Sequence, residues 1–342
     1  MSSFPITIEG TGLVTAVGLS APASCAAFRS KISNPSETRF KGVDGEWIVG
    51  HQVPLEQPWR GLTKLAKMAA MSIDEALRQL PRSEWSKLPL LLCVAEKDRP
   101  GRMPGLDEQL FLLIQKELGV TFADHSMVIT QGRVSVAVAM AQARALISQG
   151  HCTRVLISAA DSLLTWPTLK VYVEKDRLLS TRTSNGFMPG EGAGALLVAA
   201  TQAMAIGLVC TGVGFAVEKA HIESEEPMRA DGLSQAIKLA LADAGAQMHD
   251  MDFRITDLSG EHYYFKEATL ALSRILRVRK EEFDVWHPAE CAGEAGAVSG
   301  IAVLVHAQFA CKKGYAKGEQ ILAHMANDGG QRAALTLQYR GL

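Results

Sequence analysis

Three turns in this chain place side chains capable of chemistry where an apolar strand gives way to a helix: residues 129–135 (ITQGRVS), 257–266 (DLSGEHYYFK) and 286–296 (WHPAECAGEAG). Helix N-termini carry unpaired N–H groups and the positive end of the helix dipole, so they favour an anion or a thiolate. In α/β proteins such strand-to-helix tips are where sites are assembled. A nucleophile elbow would carry Cys or Ser at the first turn, but Gln131, Gly132 and Arg133 stand there, and none of them can attack an acyl group. Arg133 also opposes the dipole, so it either pairs with an acid such as Glu261 or Glu290 or reaches solvent. His262 and His287 flank the other two turns and read as satisfied surface or core histidines. Cys291 reads as a thiol packed under the last long helix, with a reactive role as the alternative.

A fourth stretch, 186–198 (GFMPGEGAGALLV), has the glycine density of a phosphate loop. An apolar strand follows it where a phosphate-binding loop needs a helix, so the glycines read as scaffold and Glu191 as a buried hydrogen-bond acceptor.

The elements that must position these turns follow from periodicity. Residues 5–14, 89–95, 127–130 and 154–159 read as strands, 63–80 and 134–148 as helices. After the glycine stretch the grammar restarts, with strands expected over 205–217, 254–258, 320–325 and 333–339 and helices over 231–244 and 295–310. Strand–helix alternation predicts a largely parallel sheet covered on both faces. The most loop-like stretch is 97–107 (KDRPGRMPGLD).

Taken together the motifs resemble the β-ketoacyl synthases of the thiolase-like superfamily. The opening ITIEGTGLVTAVGLSAPASCAAFRSKIS is similar to that family's first strand and turn, GFMPGEGAGALLV to its DGFVxGEGAG signature with Asn185 at the Asp position, ECAGEAGAVSGI to its GHxxGAAGxxE segment, and NDGGQRAALTLQ to its closing glycine turn. The resemblance implies a thiolase-like fold: duplicated βαβαβαββ halves in five α-β-α-β-α layers, here 1–203 and 204–342, with a site between them. It also implies dimerisation through a strand of the first half. The family's catalytic Cys–His–His set does not carry over. Counting back from Gly150 through the helix places Arg133 at the nucleophile position, or Gly132 with one residue gapped. The first His position falls on Ser259 and the second on Glu290; a lysine position falls on Val285, and Asp328 stands where an aromatic gate is usual. A guanidinium is no nucleophile, Ser259 does not titrate near neutrality, and Glu290 would repel a carboxylated extender. An Arg133–Glu290 ion pair is expected to fill the old site.

Two functions remain open on this reading. One is a catalytically degenerate protein acting as a non-catalytic partner, adaptor or chaperone for an active synthase paralogue or a secretion-system effector, type VI in particular. The other is an acyltransferase or hydrolase with a remodelled site built from His262, Cys291, Glu290 or Ser259, using acyl carrier protein or acyl-CoA. A homodimer is expected, and no cofactor.

Composition narrows the remaining classes. The 342 residues carry 35 Lys and Arg against 36 Asp and Glu, a net charge of -1, which lacks the basic footprint of a nucleic-acid binder. No apolar run approaches the ~20 residues of a membrane span. The first fifteen residues lack the basic and apolar regions of an export signal. Six scattered cysteines without a CxxC pair point to free thiols in a reducing cytoplasm rather than a metal site.

Overall fold

The computed structural model describes residues 4–43, 45–204 and 206–341; the expected strand start at Ala205 lies outside the described residues. The strands are β1 (Ile6–Val14), β2 (Ser36–Lys41), β3 (Trp47–Gly50), β4 (Leu90–Cys93), β5 (Met127–Ile129), β6 (Arg154–Ser162), β7 (Glu191–Ala200), β8 (Gly207–Val217), β9 (Phe253–Thr256), β10 (Val285–Trp286), β11 (Gln320–Ala326) and β12 (Gln331–Arg340). The helices are α1 (Ala21–Arg29), α2 (Gly61–Ala76), α3 (Arg82–Trp85), α4 (Gln109–Leu118), α5 (Ser135–Ser148), α6 (Trp166–Glu174), α7 (Asp231–Ala244), α8 (His262–Ile275), α9 (Ala289–Ala292) and α10 (Val298–Lys312).

Ten strands form one hydrogen-bonded sheet in the order β10-β9-β11-β12-β8-β1-β7-β6-β4-β5, while β2 and β3 make a separate hairpin. Numbered within their own halves, the strands on either side of the β1/β8 contact run in the same order, first, fifth, fourth, second, third. The duplication is therefore written into the topology.

The expectation of a largely parallel sheet is corrected. Pairing is parallel only toward the two ends, among β4, β5 and β6 and among β9, β10 and β11. The central pairs β6/β7, β7/β1, β1/β8, β8/β12 and β12/β11 are antiparallel. A strand buried on both faces reads as a plain apolar run whichever way its neighbours point, so periodicity carries no direction.

Three apolar clusters define the helical layers. The largest lies between the half-sheets, where α5 and α10 pack against each other and against strands of both halves. A second lies under α2 and α4, and a third under α7 and α8. Helix, sheet, helix, sheet, helix is the resulting stack. α10 is apolar on every face because it is the centre of that stack, which is what such a pattern demands. Alanines along α5 let the two central helices approach closely; a Cβ on Gly300 would already stand 3.0 Å from Val136 Cβ.

The glycine stretch is scaffold. On β7, a Cβ at Gly192 would lie 2.6 Å from the Val14 carbonyl oxygen, and one at Gly194 would lie 2.4 Å from Ile301 Cγ2. These glycines let β7 sit against β1 and under α10. Glu191, 5% exposed, accepts hydrogen bonds from the Val53 N–H (3.0 Å) and the Ser162 hydroxyl (3.0 Å) and pairs with Lys64.

Candidate functional site: an ion-paired core between the halves

The three turns do meet between the halves, with the closing turn between β11 and β12, but through different residues from those expected. At the first turn the Gly132 N–H bonds the Val94 carbonyl (3.1 Å), and the Gln131 N–H bonds the Ser135 hydroxyl (3.1 Å). This tight elbow, with Gly132 at φ 52°, aims Arg133 into the interior at the head of α5. A side chain at Gly132 is impossible without rearrangement, since its Cβ would fall 2.1 Å from Glu96 Oε2.

Arg133 is 8% exposed and fully engaged. Nη1 donates to Glu294 Oε2 (3.2 Å); Nη2 donates to Asp328 Oδ1 (2.8 Å) and to the Tyr264 hydroxyl (2.8 Å). Nε lies 3.8 Å from Asp257 Oδ2, and the guanidinium covers the Tyr264 ring at 4.6 Å. Burial works against the charged guanidinium, but Tyr264, Glu294, Asp328 and Asp257 more than offset it and hold the pKa well above its ordinary value.

Two further arginines complete the core. Arg177, just past α6, makes a bidentate pair with Glu261 (2.7 Å and 2.7 Å) and donates to Asp328 Oδ2 (2.6 Å). Arg99 bridges Asp161 (2.6 Å) and Glu96 (2.7 Å). Asp328 thus sits between Arg133 and Arg177 and also accepts from the Tyr264 hydroxyl. Burial favours its neutral acid, yet the two guanidinium groups outweigh that and hold its carboxyl well below the usual range. Asp257 shows the opposite balance. It is 3% exposed, and burial, with Glu294 nearby, overcomes Arg133 and pushes its pKa up to about 7. Glu294 is tied on its other oxygen by the Gly296 N–H (2.9 Å) and the Ser299 hydroxyl (3.2 Å).

The space left among these groups is about 20 Å³, room for roughly one water. A cavity of about 120 Å³ lies beside it, and a groove of about 730 Å³, lined by Trp59, Arg60, Lys64 and Trp166, lies elsewhere. Among the described residues no cluster of His, Cys, Asp or Glu is placed to hold a metal.

Arg133 is paired, though not with Glu261 or Glu290. Glu261 belongs to Arg177, and Glu290 points outward to a pair with Lys31. The expected Arg133–Glu290 pair is corrected: Glu290 sits on the short helix α9, which is followed by Gly293 at φ 73°, and that turn sends Glu294 inward instead. Ser259 is half-buried, its hydroxyl without a partner. His262 is exposed at the start of α8, where its backbone N–H bonds Asn185 Oδ1 (2.8 Å). Cys291 is 1% exposed, and burial, aided by Glu290, pushes its thiol up to about 11. A thiol so raised is almost wholly protonated at neutral pH, the opposite of an activated nucleophile. His287 packs edge-on against Phe265, and its pKa is lowered, chiefly by burial.

Sequence reasoning passed over Arg99, Arg177, Glu96, Asp161, Tyr264 and Glu294. One signal was available: Glu294 is a lone charge in the otherwise small and apolar run AGEAGAVSGIAVLV, and a charge in such a run must find a partner.

No family profile matches the chain, and no curated protein matches it by sequence. Solved structures match over its whole length. The ishigamide ketosynthase/chain length factor superposes with a TM-score of 0.80 at 16% identity, covering 99% of this chain and 100% of the other. A β-ketoacyl synthase from Burkholderia phymatum superposes with a TM-score of 0.75 at 15% identity, covering 100% of each chain. A ketosynthase in complex with its chain length factor from Xenorhabdus doucetiae superposes with a TM-score of 0.76 at 12% identity, covering 98% of each. The chain therefore has the thiolase-like fold that β-ketoacyl synthases and ketosynthase/chain length factor proteins adopt.

Proposed function

We propose that this protein is a catalytically degenerate member of that fold, with halves 1–203 and 204–342, which works by binding another protein. A single observation carries the reading. At the position that the resemblance assigns to the nucleophile stands Arg133, and the ion pairs around it leave about 20 Å³. A thioester carbonyl with its acyl chain needs several times that space and an attacking group within ~3–3.5 Å. The remodelled-site alternative gains no support from Cys291, whose thiol is raised, or from His262, which faces solvent.

The partner we favour is a second thiolase-fold chain, either another copy or an active synthase paralogue; a secretion effector is the alternative. β5 is the outermost strand of its half, with Met127 exposed on it, and a sheet edge is where the strand of a second chain can add. The deciding experiment is intact-mass measurement after incubation with acyl and malonyl thioesters of coenzyme A and of carrier protein. No adduct and no product are expected. An adduct abolished by Cys291→Ala or Ser259→Ala would overturn the reading. Light scattering of the purified chain, alone and co-expressed with a candidate synthase, then separates homodimer from heterodimer.

A further inference from the structure

The C-terminal ends of α7 and α8, in the outer helical layer of the second half, line a groove of about 340 Å³ whose wall is completed by residues 246–249 and 277–278. Its base is apolar. Leu241 and Met248 belong to the third apolar cluster, and Ile275 and Ala246 pack against it. Val278, 51% exposed, and Ala242 leave further apolar surface open on the lining. Lys238, Arg274 and Arg277 stand around this floor, and among the described residues no carboxylate lines the groove. The whole chain carries 36 acids against 35 lysines and arginines, so an average lining would mix the two signs. Arg274 is fixed by Asp231 (2.7 Å) and the Arg229 carbonyl (2.7 Å). Lys238 and Arg277 are exposed and have no carboxylate partner among the described residues. Cations near a helix C-terminus offset its dipole, which accounts for Arg274 and Arg277 at the end of α8; Lys238 lies in the middle of α7, beyond the reach of that effect. The loop after α8 is tied to the wall at 246–249, because Lys280 Nζ donates to the carbonyls of His249 (3.0 Å) and Met251.

We propose that this groove docks an acidic, amphipathic segment of a partner protein, with apolar side chains against Ile275 and Val278 and carboxylates facing Lys238 and Arg277. Its volume lies at the lower end of the ~300–1,000 Å³ range of ligand pockets, room for a few side chains and not for a domain. An apolar floor inside a rim of one sign suits the apolar face of an amphipathic helix whose flanks carry the opposite sign. The charges steer approach and fix register, while the apolar contact supplies affinity. A single-stranded nucleic acid fits less well, because no aromatic side chain lines the groove for bases to stack on. An anionic membrane also fits less well, because an interfacial surface presents its apolar groups outermost, whereas Leu241 and Met248 here are 5% and 3% exposed. The groove belongs to the second half and β5 to the first, so this surface is distinct from the strand edge considered above.

The proposal rests on the binding role above for the existence of a partner. The two fail separately, because acyl adducts are read by mass while this groove is read by peptide titration. The probe is a fluorescein-labelled peptide of three Glu-Leu-Leu-Glu repeats, titrated with the full chain and followed by fluorescence anisotropy at low ionic strength. Saturable binding is expected, with Kd on the order of 10 μM, weakening at least fivefold when salt shortens the Debye length from about 30 Å to about 8 Å. Lys238→Glu and Arg277→Glu change exposed, unpaired side chains, so the melting temperature is expected to hold while Kd rises at least threefold for each and at least tenfold for both together. Val278→Ser removes apolar contact without charge and should raise Kd about threefold. The proposal is overturned if no saturable binding appears up to about 1 mM peptide, if the peptide with Gln for Glu or with Ala for Leu binds as tightly, or if the double reversal leaves Kd within a factor of two. It is equally overturned if phosphatidylserine vesicles or an oligothymidylate bind the chain more tightly than the peptide and lose that binding in the double reversal.

Discussion

Replacing Arg133 by Met tests the core most directly, because Met fills similar volume while removing the charge. The substitution deletes charge-assisted bonds to Glu294 (3.2 Å) and Asp328 (2.8 Å) and a bond to the Tyr264 hydroxyl (2.8 Å). Asp328 keeps Arg177, but Glu294 Oε2 loses the only partner found for it and Asp257 loses its nearest cation. Breaking a buried pair from one side costs about 3–5 kcal/mol, because the remaining charge stays buried. At about 2 °C per kcal/mol for a chain of this length, the melting temperature at pH 8 should fall by roughly 6–10 °C. The loss must also depend on pH. Without Arg133 the Asp257 pKa, already about 7, rises further, because the guanidinium that lowers it is gone. The variant therefore binds extra protons between about pH 5 and 8, and its stability falls more steeply with rising pH, by ~1.4 kcal/mol per pH unit for each extra proton. Urea denaturation at pH 5, 6.5 and 8 measures the slope, and Arg133→Met combined with Glu294→Gln should recover more than half of the loss. A deficit that is equal at all three pH values, or a variant as stable as the parent, would refute the assignment of this core as a set of mutually dependent charges.

The other predictions concern single members of the same architecture. Asp257 has a folded pKa raised above its unfolded value near 4, so its contribution is fully present below pH 4 and is lost as pH climbs through 7; Asp257→Asn should flatten urea stability over pH 4–7 relative to the parent. Asp328 is shifted the other way, so its contribution is present above pH 4 and lost as pH falls toward its depressed folded value; Asp328→Asn should be least harmful, relative to the parent, in acid, as followed by circular dichroism from pH 5 to 2. Arg177→Lys gives up the two-pronged bond to Glu261 and should cost about 1.5–3 kcal/mol in urea denaturation, although charge is conserved. Gly192→Ala drives a methyl to 2.6 Å from the Val14 carbonyl oxygen and should cost about 1–3 kcal/mol, whereas Gly150→Ala, with no neighbour within 4 Å, should show only the smaller strain of a φ of 76°.

Much of the fold was legible because its information is local. The helix expected over 231–244 is α7 to the residue, bounded by Gly245 in the left-handed conformation that ends it. The strand expected at 320–325 appears one residue longer as β11, and that at 333–339 three residues longer as β12. What periodicity could not supply was strand direction, hence the expected parallel sheet where the centre is antiparallel. The turns were legible as site-forming places for the same reason, since each is a strand end followed by a helix start. Their occupants were not. Ser259 lies two residues from Asp257 and Glu290 four from Glu294, and which member of each pair reaches Arg133 depends on the backbone turns at Gly260 (φ 127°) and Gly293 (φ 73°).

The arginines expose a deeper limit. Arg99 lies in the stretch 97–107, whose composition reads as a solvated loop, and Arg177 follows a short helix among exposed lysines and glutamates. Nothing in their neighbourhoods marks them as buried, because burial here is imposed from afar: Asp161 and Glu261 lie 62 and 84 residues from the arginines they hold. A buried charge is tolerable only when its partner is buried with it, so each such residue makes sense solely in the assembled core. Arg133 differs, since a cation at the head of an Ala-rich helix breaks a local rule and so announces that something distant offsets it. Of the three arginines, the one that violated local electrostatics was the one the sequence made visible, and the structure supplies the reason in Glu294, Asp328 and Tyr264.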